Sequence, residues 1–161
     1  MSTSEPTPFS KQECSYSALS GSSRVIAPPL AGNILGSTRD DFVVAEWRDG
    51  GGPPGPPRLI APLHVHHRDD EAWYVLEGTL HVQLGEDVIE AHAGSGVFVS
   101  RGTAHTYWNP GPGPVRYLLI MTSNILSLIQ EIHTLQDRTP ATLAAVFEKH
   151  NSSLVVPGRS H

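Results

Sequence analysis

The chain has 161 residues, enough for one domain with a proper core but not for two, and its formal charge of -5 argues against nucleic acid as a partner. Fifteen glycines and 14 prolines suit a turn-rich β domain, and the single cysteine, Cys14, rules out an intrachain disulfide. No apolar run approaches a membrane span and the start lacks the basic-then-apolar pattern of a signal peptide, so the expectation is a cytoplasmic protein that does not enter a membrane.

Taken in order, residues 1–23 are polar and serine-rich without periodicity and read as a flexible N-terminal arm, with Cys14 an unactivated thiol inside it. Residues 24–123 read as a run of short strands. Arg24 to Gly36, interrupted by Pro28-Pro29, suggests edge strands, and Asp41 to Arg48 (DFVVAEWR) is a strand. Gly50 to Pro57 is a Gly/Pro loop that cannot hold a ladder, so it crosses the barrel mouth or wraps an edge. Further strands run over Arg58 to His66, Glu71 to Leu76, Thr79 to Leu84, Val88 to His92, Gly96 to Val99, His105 to Trp108 and Val115 to Thr122, with Gly85-Glu86-Asp87 as a hairpin turn. After Met121 the period becomes helical. Ile125, Leu128, Ile129, Ile132 and Leu135 form an apolar stripe, and Ala141 to His150 reads as a second helix started by Pro140, so residues 124–161 are expected to be helices and tail. These helices should cover an open side of the barrel or a partner subunit.

The chemistry concentrates between Leu63 and Asn109. His64 and His66, two apart on one strand, project from the same face and can reach one point. A turn through His67-Arg68-Asp69-Asp70 lets Glu71 open the next strand beside them, and His105 completes a pocket of three histidines and one carboxylate if the sheet closes on itself. Such a set suits one divalent transition ion (Fe, Ni, Mn, Cu or Zn) with open positions for an oxygen-donor substrate or dioxygen. Glu71 would be a ligand and, if it swings off, a base for a substrate hydroxyl. Trp73 and Val75 share the face of Glu71 and Tyr107 that of His105, giving apolar and aromatic substrate-binding walls. Lys11 and Lys149 are the only lysines, which excludes Schiff-base chemistry in the barrel and disfavours a phosphorylated sugar there. His67 should face solvent, His81 and His92 either pocket or solvent, and His133, His150 and His161 solvent; Asp69 and Asp70 read as turn residues.

The same spacing resembles a family signature. His64 to Gly78 (HVHHRDDEAWYVLEG) is similar to the first cupin motif, H-x-H-x4-E-x6-G, and Gly94 to Asn109 (GSGVFVSRGTAHTYWN) to the second, G-x5-P-x-G-x2-H-x3-N. Ser100 stands where that motif usually has proline, and the glycine that usually precedes the first motif is displaced to Gly55. The phrase PLHVHHRDDEAWYVLEG, the strand VRYLLIMT and the helical tail resemble small single-domain cupins described as quercetin 2,3-dioxygenase-like. The resemblance implies an all-β double-stranded β-helix, a jelly-roll barrel with a short C-terminal helical tail. It also implies His64, His66, Glu71 and His105 as metal ligands, with Glu71 the catalytic base of a dioxygenase acting on a flavonol, enediol or similar enolic small molecule. An isomerase or lyase on a small polar metabolite, and a non-catalytic small-molecule-binding protein, are the alternatives. A homodimer is expected, with the N-terminal segment or the C-terminal helices in its interface.

Overall fold

Burial alternates with a period of two along strands such as Glu71–Glu77, Gly96–Val99 and Val115–Thr122, and the strands form two facing sheets. The computed structural model describes residues 34–155. In chain order its strands are β1 (Ile34–Leu35), β2 (Phe42–Asp49), β3 (Leu59–His66), β4 (Glu71–Glu77), β5 (Thr79–Leu84), β6 (Asp87–His92), β7 (Gly96–Val99), β8 (His105–Trp108) and β9 (Val115–Thr122). Helices α1 (Ser123–Thr134) and α2 (Pro140–Lys149) follow, then β10 (Ser152–Leu154). One sheet has the order β1-β2-β9-β4-β7 and the other β10-β3-β8-β5-β6, every pairing antiparallel. The inward residues of the first sheet, among them Val43, Trp73, Val75, Tyr117 and Leu119, meet Leu80 and Val82 of the second in one apolar core. This is the expected jelly roll.

Turn chemistry sets the corners. Gly78 ends the first motif at φ +77°, and a Cβ there would stand 2.5 Å from the Pro114 carbonyl oxygen, so both the dihedral and the close approach require glycine. The Gly/Pro loop after β2 ties to the turn before β9: Gly52 N–H donates to Gly111 O, while Asn109 Nδ2 donates to Asp49 Oδ1 and Gly113 O. The helices begin on threonine caps, Thr122 for α1 and Thr139, followed by Pro140, for α2. The apolar stripe of α1 turns inward, with Ile125, Leu126 and Leu128 buried.

One expectation changes. The residues after α2 were read as helix and tail, yet Ser152–Leu154 form a strand that pairs with β3, opposite His66, Val65 and His64. Three residues are too short for a period to register. Among residues 24–36 only β1 falls within the described part; the arm, Cys14, Pro28-Pro29 and His161 lie outside it.

Candidate metal centre

Strands β3, β4 and β8 deliver four side chains to one buried point. His64, His66, Glu71 and His105 are each at most 5% exposed, and one donor atom from each lies within 4.8 Å of all the others. His64 Nε2 is 3.1 Å from His66 Nε2, His105 Nε2 is 3.1 Å from Glu71 Oε2, and His66 Nε2 is 3.6 Å from the same oxygen. Ligands bonded at about 2.1 Å to one ion stand roughly 3.0–3.4 Å apart, so the cluster needs little adjustment to hold one. The two motif loops are pinned together beside it. Gly102 N–H donates to the His66 carbonyl, and Arg101 makes a forked pair with Asp70 that holds the Asp70 carboxyl at about 2.

The outer nitrogen of each ring fixes what the inner nitrogen offers. His64 Nδ1 lies 2.6 Å from Pro62 O and His105 Nδ1 lies 2.8 Å from Thr103 O. A carbonyl only accepts, so both Nδ1 atoms carry the proton. Pro62 sits where β3 slips register against β8, and proline donates nothing to the ladder, which suits that irregularity. His66 Nδ1 is 2.7 Å from Ser152 Oγ, whose own hydrogen points to His150 O at 3.2 Å, so here too the ring nitrogen donates. All three rings therefore turn Nε2 toward one another and toward a carboxylate. Without a cation, protons must fill those gaps; with one, every donor is used. The donor set fits a divalent transition ion.

Electrostatics agree. Burial, then the neighbouring His105 and His66, push the His64 imidazole down from 6.5 to about 3, so it is neutral at physiological pH. Burial works against the Glu71 charge, but hydrogen bonds from His105 and His66 outweigh it and hold the carboxyl at about 2. Glu71 is thus ionised.

Residues 55–121 match the family described as Cupin domain, a stretch that runs from before β3 into β9. That stretch is similar to a cupin domain. Among curated proteins it is similar to the xanthan biosynthesis protein XanB of Xanthomonas campestris pv. campestris, 29% identical over 70 residues that make 44% of this chain and 15% of that protein. It is also similar to the mannose-1-phosphate guanylyltransferase RfbM of Salmonella typhimurium, 33% identical over 69 residues, 43% of this chain and 14% of that one. The chain therefore spans only a small part of these relatives' length. A solved protein with a double-stranded β-helix domain from Klebsiella pneumoniae aligns with TM-score 0.47 and 25% identity, over 61% of this chain and 84% of that chain. A putative sugar phosphate isomerase from Acidithiobacillus ferrooxidans aligns with TM-score 0.45 and 23% identity, over 52% of this chain and 51% of that chain.

Between the barrel and its helices lies a cavity of about 130 Å³ that reaches His64, His66 and Glu71. Its walls are largely apolar, with Ile125, Leu128, Ile129 and Ile132 from α1 and Phe147 from α2, and no lysine or arginine among the described residues that line it. Of the expected wall residues, Tyr107 lines this cavity. Trp73 and Val75 are fully buried behind it, the Trp73 ring 5.0 Å from Tyr107 and 5.9 Å from His105. Burial, together with the nearby Glu71 charge, raises the Tyr107 hydroxyl above its usual range, so it stays protonated.

Other histidines fall as expected or not. His67 is exposed, and His81 and His92 lie outside the cavity beside Glu90. His133, expected in solvent, lines the cavity edge-on to Trp47. His150, also expected in solvent, is buried and pairs with Glu131. Asp69, read as a turn residue, is buried as well and accepts from Thr122 Oγ1 at 2.7 Å and Asn124 Nδ2 at 2.8 Å. No spacing rule marks Asp69, Asn124, His150 or Ser152.

Proposed function

We propose that this cupin is a metal-dependent dioxygenase acting on a compact enediol or related enolic or aromatic small molecule, with His64, His66, Glu71 and His105 as ligands of one divalent transition ion. The observation that carries the reading is the meeting of three inward Nε2 atoms and an ionised carboxylate at the end of an apolar cavity with no lysine or arginine among its described residues. Bound there, such an ion supplies Lewis-acid activation of a substrate oxygen and a place for dioxygen beside it. Glu71, ionised and against the cavity, accepts the hydroxyl proton of the incoming substrate at a carboxylate oxygen. The α1 and Phe147 walls exclude water from that transfer. Tyr107 contacts the substrate as a neutral phenol, while Trp73 and Val75 hold its wall from behind.

Size narrows the substrate class. A cavity of about 150 Å³ holds a benzene ring, and the 130 Å³ here suits one ring or a short enediol better than a three-ring flavonol. A phosphorylated sugar would ask for arginine or lysine in the walls, and none lies among the described wall residues.

The deciding experiment is oxygen uptake when candidate enediols are added to protein loaded in turn with iron, nickel, manganese, copper or zinc. Metal-dependent uptake with stoichiometric substrate loss is the expected result. Conversion without uptake would favour an isomerase or lyase, and saturable binding without conversion a non-catalytic binding protein; either overturns the dioxygenase.

A further inference from the structure

Ser152 lies at the far end of the chain from the metal motifs, yet it touches a ligand. Strand β10 sets it directly opposite His66, and it is 2% exposed. Its hydroxyl donates to His150 O at 3.2 Å and accepts the Nδ1–H of His66 at 2.7 Å. The other two imidazoles take their Nδ1 partner from within their own loops, Pro62 and Thr103, each two residues away. His66 alone depends on a side chain brought by the C-terminal segment. That side chain is the end of a closed circuit. His150 O also accepts from Asn124 Nδ2, which donates to Asp69 Oδ2, and Asp69 lies in the turn between His66 and Glu71.

We infer that Ser152 is a positioning residue for the metal centre: it holds His66 with Nδ1 protonated, so that Nε2 faces the ion. Through it the helical cap and the metal site stabilise one another. The inference rests on the metal-centre reading above. Two consequences separate it from general packing. The hydroxyl, not the side-chain volume, matters, because only an acceptor already committed as a donor elsewhere can fix that tautomer. The neighbouring Ser153, whose hydroxyl meets exposed His67 at 2.9 Å, should not matter.

The test is chelator competition for Zn²⁺, and the visible spectrum of the Co²⁺ form, in wild type, Ser152→Ala, Ser152→Thr, Ser152→Val and Ser153→Ala. Loss of an outer-sphere partner of a ligating histidine weakens metal affinity by about 10- to 100-fold. That loss is expected for Ala and Val, with an altered cobalt spectrum, while Thr stays within a few-fold of wild type and Ser153→Ala is unchanged. The Thr and Val variants have nearly the same shape, so their difference reports the hydroxyl even if Ala perturbs folding. Equal affinity of Thr and Val, or wild-type affinity in folded Ala, overturns the inference while leaving the metal centre intact. If wild type itself fails to take up zinc or cobalt, and His66→Ala makes no difference, it is the metal-centre reading that fails.

Discussion

At the scale of single residues, the four donors make the sharpest predictions. Wild-type protein should carry about one divalent transition ion per chain by elemental analysis, and His66→Ala or His105→Ala should lose it, because the remaining donors cannot complete the shell. Reloaded wild type holding far less than one equivalent would refute this. Glu71→Gln keeps size and an oxygen donor but loses the charge and the basic site. Metal content should fall modestly while turnover per bound ion drops by about 10² to 10⁴, the scale of a general base; unchanged turnover per ion would leave Glu71 a ligand only. These four residues could be read from the sequence because strand geometry fixes their spacing, and a spacing survives without coordinates. Asp69, His150 and Ser152 could not, since their roles come from contacts between segments distant in sequence. His66 and Ser152 are 86 positions apart.

Among elements, the helices take the first of the two places expected for them, over the barrel. The stripe of α1 was read as covering the barrel or a partner; Ile125, Leu126 and Leu128 are buried within the chain, and Ile129 and Ile132 line its cavity. Leu128, packed with Val146 and Phe147, should cost about 2–5 kcal/mol when truncated to alanine, measured by denaturant unfolding of the metal-free protein. Thr122 has two tasks, capping α1 through the Ile125 N–H and donating to Asp69. Thr122→Ala should therefore lower stability by at least the roughly 1 kcal/mol typical of a lost cap, and Thr122→Ser should restore most of it. Strands such as β4, β5 and β9 were readable nearly to the residue because burial alternates along them; β10 escaped because its neighbours, not its own residues, make it a strand.

For the whole molecule, acid is the main threat to the metal-free fold. Unfolded, His64 titrates near 6.5 and Glu71 near 4.5; folded, they titrate at about 3 and about 2. The unfolded chain therefore binds more protons across both intervals, and stability must fall as pH drops below 6.5. The denaturant midpoint of metal-free protein should decline steadily from about pH 7 to pH 4, and a flat profile would contradict the assigned protonation states. Among the described residues no helix is long and apolar enough to cross a membrane. The first sheet does leave Phe42, Tyr74 and Phe98 exposed, Phe42 and Phe98 by more than 60%. We propose that the expected homodimer forms through that face rather than through the helices, whose apolar stripe is already used. Light scattering should give a dimer that Phe98→Glu converts to monomer; a compact monomer at micromolar concentration in wild type would count against it.

The edge-on contact of Trp73 with His105, and the place of Trp47 in the cavity wall, give the protein a built-in optical gauge. Indole emission is quenched over such short distances by ions with partly filled d shells and left nearly untouched by zinc. Titrating copper or cobalt should therefore dim the intrinsic fluorescence in step with occupancy, while zinc fills the same centre in the dark. The difference would sort the candidate ions without a label.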